Sequence, residues 1–178
     1  CLITIGDELL QGFTTNTNSS WISKKLLPFD IHVEKSITVG DDLKLIIDSI
    51  EQAISSDYNY IFVTGGLGPT HDDITKNAIK KIFNCEEYFD DDYFKLLTDK
   101  FSQRGYEIPE SNRSQAIILT GCDIISNLRG TALGMRFVKK DSQLFILPGV
   151  PAEMKGMIED TIIPKYLPEK KIDQFITI

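Results

Sequence analysis

The sequence predicts an α/β fold built on a doubly wound, mostly parallel sheet, and three observations carry that prediction. Short apolar runs of strand length recur along the chain. Amphipathic helical stretches alternate with them. Four of the runs are closed by turn pairs, Gly6-Asp7, Gly40-Asp41, Gly65-Gly66 and Pro148-Gly149.

Taken in order, Cys1-Leu2-Ile3-Thr4-Ile5 suits a buried strand. Asn16 to Leu27 is helical, with Trp21, Ile22, Leu26 and Leu27 on one spacing and Thr17 or Asn18 as its cap. Ile31 to Val39 reads as a strand that includes His32. Leu43, Ile46, Ile47, Ile50 and Ile54 then mark the clearest amphipathic helix. Tyr60 to Thr64 is a further strand. Ile74 to Phe83 and Asp91 to Phe101 read as helices, and Ser111 to Leu119 as another. Ile124-Ile125 and Ala132 to Val138 suit strands near a sheet edge. Leu144 to Leu147 is a buried strand, and Pro151 at a first helical turn opens a helix over Ala152 to Ile163. Phe175 to Ile178 is strand-like. The chain starts inside an apolar run and ends in one, which reads as a fragment: one domain over 1–168 and the start of a following segment over 169–178.

Composition narrows the function. A chain of 178 residues with 42% hydrophobic and 25% charged residues has enough apolar surface for a core, which excludes disorder and a bare coiled coil. Its net charge of -7 repels phosphate backbones at long range, and its basic pairs are scattered, so general nucleic-acid binding is disfavoured. No apolar run approaches the roughly 18 residues of a membrane span, so a membrane partner is not expected. Three cysteines without a CxxC or a nearby His support neither a disulfide framework nor a zinc site, and a cytoplasmic location is the expectation.

Chemistry should gather where the parallel strands end, because ligands of open α/β sheets bind at that edge. The densest segment there is Thr64-Gly65-Gly66-Leu67-Gly68-Pro69-Thr70-His71-Asp72-Asp73-Ile74-Thr75. Gly65, Gly66 and Gly68 let the backbone approach a ligand, and the following helix turns its free N–H groups the same way. The segment is neither a Walker A loop nor a dinucleotide fingerprint, since no Gly-Lys-Ser/Thr follows and His71 stands at the third glycine position. A capped helix start explains part of it, but not three glycines and two acids together.

A phosphate placed here gains about 0.3–1 kcal/mol from the helix terminus. Each unpaired carboxylate within about 4 Å opposes it by about 4 kcal/mol at an effective dielectric near 20. Asp72 and Asp73, joined by Asp7 or Asp41 from neighbouring turns, therefore outweigh the cradle. A divalent cation such as Mg²⁺, bridging carboxylates and phosphate, reverses the sign. A phosphate-bearing small molecule with a metal ion follows as the expected ligand. Only two histidines and no GxSxG argue against a Ser-His-Asp hydrolase. Asp90-Asp91-Asp92 reads as a solvated helix start, and Arg113 or Arg129 could neutralise phosphate or simply lie at the surface.

The same segments carry a resemblance. Ile5-Gly6-Asp7-Glu8-Leu9-Leu10-Gln11-Gly12 with Asn16 to Ser19, the glycine segment from Thr64, Asn112-Arg113-Ser114-Gln115-Ala116, Gly130 to Met135 and Leu147 to Met154 resemble the CinA family (competence/damage-inducible protein A) over nearly the whole chain. The resemblance implies its N-terminal domain, a three-layer α/β/α MoaB/MogA-like molybdopterin-binding fold. It further implies metal-dependent hydrolysis of ADP-ribose to AMP and a sugar phosphate, or the corresponding hydrolysis of a related dinucleotide such as FAD, with K⁺ as an additional cofactor.

The motif acids of the molybdopterin relatives fall on Asp41 and Asp73, which become the expected catalytic pair. Metal is expected on Asp7, Asp41, Asp72 and Asp73. Phosphate and nucleotide are expected on Gly65, Gly66, Gly68, Thr70 and Thr75, with Asn127, Thr131, Gly149 and Glu153 shaping the rest of the pocket. Relatives imply a homo-oligomer, dimer or trimer. The family's nicotinamide-mononucleotide deamidase domain has no counterpart in these residues, so that activity is not expected of them. Two alternatives stand beside the hydrolase: a molybdopterin-binding or adenylyl-transfer domain, and a non-catalytic nucleotide-binding module.

Overall fold

A computed structural model describes residues 1–68, 74–103 and 105–170. The first strand, β1 (Leu2–Ile5), is followed by the single helical turn α1 (Asp7–Leu10) and by α2 (Thr17–Leu26). The cap of α2 is Asn16, one residue before the expected pair, whose side chain accepts the Ser19 N–H at 3.0 Å. Next come β2 (Ser36–Val39) and α3 (Leu43–Ser55), capped by Asp42, then β3 (Tyr60–Thr64) and α4 (Ile74–Phe83).

The middle of the chain leaves the main sheet. Strand β4 (Glu87–Phe89), helix α5 (Asp91–Ser102), a 3₁₀ turn over Glu110–Ala116 and β5 (Ile117–Leu119) form a small excursion in which β4 and β5 pair antiparallel. The chain then re-enters the main sheet through β6 (Asp123–Ile125), β7 (Gly134–Lys139) and β8 (Ser142–Leu147). It closes with α6 (Pro151–Met157), a π-helical stretch over Ile158–Ile162, and α7 (Ile163–Tyr166).

The main sheet has the order β2-β1-β3-β8-β7-β6. Strands β2, β1, β3 and β8 are mutually parallel, and β7 and β6 are antiparallel additions at one edge. The expected α/β architecture is therefore present, and the four turn pairs lie along one sheet edge. Alternation along the strands divides the core in two. Ile3, Ile5, Ile61, Val63 and Ile146 face α3 and α4, meeting Ile46, Ile50, Ala78 and Ile79. Leu2, Phe62, Phe145 and Leu147 face the other way, meeting Ile22 and Leu26 of α2 and Met154, Met157 and Ile158 near the end of the chain. Phe62 and Phe145 stack across β3 and β8 with centroids 5.0 Å apart, an arrangement worth about 0.5–1.5 kcal/mol beyond the area it buries.

Three sequence expectations need correction. The strand expected over Ile31 to Val39 begins only at Ser36, because among the described residues β2 is an edge strand whose one partner, β1, starts at Leu2 opposite Ser36. His32 therefore lies outside any strand, 3.4 Å from the Asp30 carboxylate. The helix expected over Ser111 to Leu119 is a 3₁₀ turn that gives way to β5, where Ile117, Ile118 and Leu119 find cross-strand partners in Phe89, Tyr88 and Glu87. Asp90 does start a helix as expected, accepting the Tyr93 N–H at 2.8 Å. The strand-like run from Phe175 to Ile178 lies outside the described residues.

Candidate functional site

The C-terminal ends of the parallel strands open onto a cleft of about 410 Å³. From β2 toward β7 its floor is set by Asp41, then Gly6 and Glu8, then Gly65 to Gly68, then Pro148 to Val150 with Glu153, then Thr131 and Ala132. Of the expected residues, Asp41, Gly65, Gly66, Gly68, Thr131, Gly149 and Glu153 line this single cleft. Thr70, Asp72 and Asp73, together with His71, lie outside the described residues.

The β1 and β2 turns are tied to each other. The Asp7 N–H donates to Asp41 Oδ2 at 3.1 Å, and the Asp41 N–H donates to Asp7 Oδ1 at 3.1 Å. This reciprocal pair brings two exposed carboxylates together and commits one oxygen of each. Gly40 belongs to the same arrangement, since a Cβ there would lie 2.5 Å from Asp7 Oδ1. The remaining carboxylate oxygens are hard donors of the kind Mg²⁺ takes, usually one or two carboxylates with substrate phosphates and water. Among the described residues no group of three His, Cys, Asp or Glu side chains is placed to hold an ion. Two carboxylates with one oxygen each to spare do not make an all-protein cage.

The start of the glycine loop, Gly65 and Gly66, is anchored on two sides. The Gly65 N–H donates to the Leu147 carbonyl at 3.1 Å, joining the β3 and β8 ends. Gly65 has φ +109° and Gly66 φ +66°. A Cβ on Gly65 would lie 2.2 Å from the Ile5 carbonyl, and one on Gly66 would lie 2.0 Å from Thr75 Oγ1. Thr75 itself is fully buried and donates its hydroxyl to the Gly65 carbonyl at 3.0 Å. The sequence expectation places Thr75 against phosphate; the structure places it beneath the loop as a clamp, because its hydroxyl goes to backbone.

Asn127 is in a similar position. Its Oδ1 accepts the N–H groups of Arg129 and Gly130 at 3.0 and 2.9 Å, and its Nδ2 donates to the Ala132 carbonyl at 2.9 Å and to the Glu153 carboxylate. The amide shapes its own loop and steers Glu153 toward the cleft instead of meeting a ligand directly. On the same wall the Tyr93 hydroxyl donates to the Thr131 carbonyl at 2.7 Å. Burial, and then the Glu153 carboxylate, push the Tyr93 pKa well above its ordinary value, so the phenol remains a donor throughout the working pH range.

Neither candidate arginine reaches the cleft. Arg129 turns to Glu159 and Asp160 at 3.8 and 3.6 Å and donates to the Ala152 carbonyl. Arg113 stacks on Phe89 and Phe94, 4.5 and 5.3 Å from the ring centroids. Among the described residues the lining contains three carboxylates, Glu8, Asp41 and Glu153, and no Lys, Arg or His.

Sequence reasoning missed two lining residues with polar side chains, Glu8 and Gln115. Glu8 adjoins the Gly6-Asp7 turn, so its adjacency was a usable signal. Gln115 stands inside the Asn112 to Ala116 block that carries the resemblance and beside the apolar run from Ala116 to Leu119, so a signal existed there too. It is 2% exposed, and its Nε2 has no hydrogen-bond partner among the described residues. Asn18 Oδ1 is also buried and unpartnered, although its Nδ2 donates to the Gly149 carbonyl at 2.8 Å. No helix among the described residues is long and apolar enough to cross a membrane.

Comparison with known proteins agrees with this fold. Residues 1–167 match the family described as a probable molybdopterin-binding domain. A CinA-like protein of Gemmatimonas aurantiaca is 39% identical over 166 residues, covering 92% of this chain and 38% of that protein. Protein PH0439 of Pyrococcus horikoshii is 36% identical over 180 residues, covering 97% of this chain and 70% of that protein. The chain spans about two fifths of the length of the CinA-like relatives it matches. Among solved structures, the protein CinA of Thermoplasma acidophilum superposes with a TM-score of 0.80 at 30% identity, covering 92% of this chain and 95% of that one. The molybdopterin biosynthesis enzyme MoaB of Thermus thermophilus shares the fold, with a TM-score of 0.62 at 18% identity over 93% of this chain and 89% of its own.

Proposed function

The chain belongs to the molybdopterin-binding-domain family, with CinA-like relatives, and from that premise we propose a metal-dependent pyrophosphatase acting on ADP-ribose or a related dinucleotide. The observation that carries this reading is the cleft itself, where a glycine loop meets three carboxylates and no basic side chain among the described residues. A bare phosphate is repelled there, whereas a phosphoanhydride carrying a divalent cation is not.

Asp7 and Asp41 would hold the ion together with Asp72 and Asp73 of the loop. A bound divalent cation offsets the phosphate charge and polarises the phosphoanhydride. The backbone N–H groups of Gly66 to Gly68 hold phosphate oxygens, and Thr70 is assigned the same role. Thr75 fixes that backbone from below. Asp41 and Asp73 orient the attacking water, and Glu153, steered by Asn127, faces the far part of the ligand along with Thr131 and Gly149. K⁺ as a second cofactor, a cytoplasmic location and a homo-oligomeric assembly, dimer or trimer, complete the proposal.

The test is AMP release from ADP-ribose with and without divalent metal and K⁺, on the wild type, Asp41→Asn and Asp73→Ala. Metal-dependent release lost in both variants, at unchanged thermal stability, supports the assignment. Wild-type protein that binds ADP-ribose without turnover under any metal would reduce it to a nucleotide-binding module.

A second reading has its own support, because the family description and the MoaB fold both point to molybdopterin. Molybdopterin binding in titration, with ADP-ribose silent, would favour that reading and an adenylyl-transfer chemistry on the same acids.

A further inference from the structure

We propose that Gln115 is a specificity-determining residue whose buried carboxamide hydrogen-bonds the uncharged part of the nucleotide, the sugar hydroxyls or the base edge, beyond the pyrophosphate. This rests on the nucleotide reading above and assigns the far end of the same cleft.

A carboxamide at 2% exposure with an unpartnered Nε2 is costly, because a buried donor without an acceptor forfeits its hydration. Gln115 lines the cleft, so a ligand can supply the missing acceptor.

Its position identifies which part of the ligand that is. Gln115 precedes Ala116, whose carbonyl accepts the N–H of Asp90, the cap of α5, at 2.8 Å. Three residues on, Tyr93 reaches the Thr131 carbonyl, so the 3₁₀ turn and the Thr131 loop are held to the same helix end. Thr131 lies on the approach to β7, while Asp7 closes β1. In the order β1-β3-β8-β7 those two strands are three spacings apart, about 14 Å at roughly 4.8 Å per strand. The glycine loop at the end of β3 lies between them. A pyrophosphate at the acids and the glycine loop leaves the Gln115 end to whatever the phosphate carries. There the lining is neutral and hydrogen-bonding, apart from Glu153, a carboxylate suited to accepting hydroxyl protons and unsuited to phosphate.

The experiment uses the whole chain with Mg²⁺ present and compares wild type with Gln115→Met, which keeps length and volume and removes the amide. Calorimetric titrations use AMP, ribose 5-phosphate and inorganic pyrophosphate, the ADP-ribose affinity is read as the KM for AMP release where it turns over and by titration where it does not, and thermal melts are run without ligand. The expected result is an ADP-ribose affinity about tenfold weaker, the loss of one hydrogen bond, with pyrophosphate binding unchanged within about twofold. Loss confined to AMP assigns the base side, and loss confined to ribose 5-phosphate assigns the sugar. The ligand-free melting temperature of Gln115→Met is expected to rise, because the orphaned donor is gone.

A lower melting temperature would make Gln115 a structural residue and overturn the proposal. So would an unchanged ADP-ribose affinity in a protein whose wild type binds it, or an equal loss on pyrophosphate. Wild-type protein that binds none of the four probes would overturn the nucleotide reading and this inference with it.

Discussion

Replacing Gly66 by Ala tests whether the glycine loop and Thr75 form one unit. Gly66 sits at φ +66°, where a Cβ costs about 1–2 kcal/mol. The same Cβ would lie 2.0 Å from Thr75 Oγ1, so the hydroxyl must move and its 3.0 Å bond to the Gly65 carbonyl is lost. Leaving that buried pair unmet adds about 1–3 kcal/mol. The total, about 2–5 kcal/mol, corresponds to a fall in melting temperature of about 4–20 °C for a domain of this size. Thr75→Ala removes the clashing atom, so on that background Gly66→Ala should cost only the backbone part, about 1–2 kcal/mol. Thermal or urea unfolding of the four proteins in this double-mutant cycle reads out the coupling, expected at 1 kcal/mol or more. If Gly66→Ala costs the same on both backgrounds within about 0.5 kcal/mol, the clamp described here does not exist.

Three further outcomes are expected. Arg129→Ala removes ion pairs that are about two fifths exposed, so stability should change by less than about 1 kcal/mol and ADP-ribose turnover should not change; a large loss of turnover in a kinetic assay would mean that this arginine swings into the cleft. Phe145→Ala empties the stacked position against Phe62 at the centre of the sheet and should cost about 3–5 kcal/mol in urea unfolding. Burial, and then the neighbouring Cys85 thiol, push the Cys122 pKa up to about 11, so iodoacetamide should label it slowly in the folded protein at pH 8. Because that folded pKa is raised above the unfolded value near about 8.5, its contribution to stability is full below about pH 8.5 and is lost as pH climbs toward 11. Melting temperatures across that range should therefore fall less steeply in Cys122→Ala.

Much of this architecture was legible because local patterns and tertiary packing agree. The spacing of Leu43, Ile46, Ile50 and Ile54 describes α3, and Ile46, Ile50 and Ile54 are buried on its sheet-facing side. The four turn pairs fall along one edge, at the cleft, because β2, β1, β3 and β8 run parallel. The failures fall where a partner decides. Ile31 to Lys35 has strand-like residues but no strand opposite, and Ile117 to Leu119 has helical neighbours but pairs with β4.

At the site, residue type identified the acids and glycines but could not tell a ligand contact from a support. Thr75 and Asn127 have the right chemistry for phosphate or sugar and use it on backbone instead. Gln115 shows the converse: nothing in its spacing announces a buried amide without a partner, since that property exists only once the cleft is closed around it.

The register of β3 with β8, from Tyr60 opposite Gln143 to Thr64 opposite Leu147, also orders events during synthesis. Strands β1, β2 and β3 can associate as soon as they emerge, since their pairings are local by comparison. The β8-facing edge of β3 then waits for roughly 80 more residues before its neighbour exists, with Ile61 and Val63 uncovered on one face and Phe62 on the other. Over that interval the nascent sheet exposes an apolar edge able to recruit another chain. The cleft cannot form until β8 docks, because Gly65 is anchored to Leu147. Conditions that slow translation through β4 to β7 should therefore lower the yield of folded protein through aggregation, while molecules that do complete the sheet form the cleft.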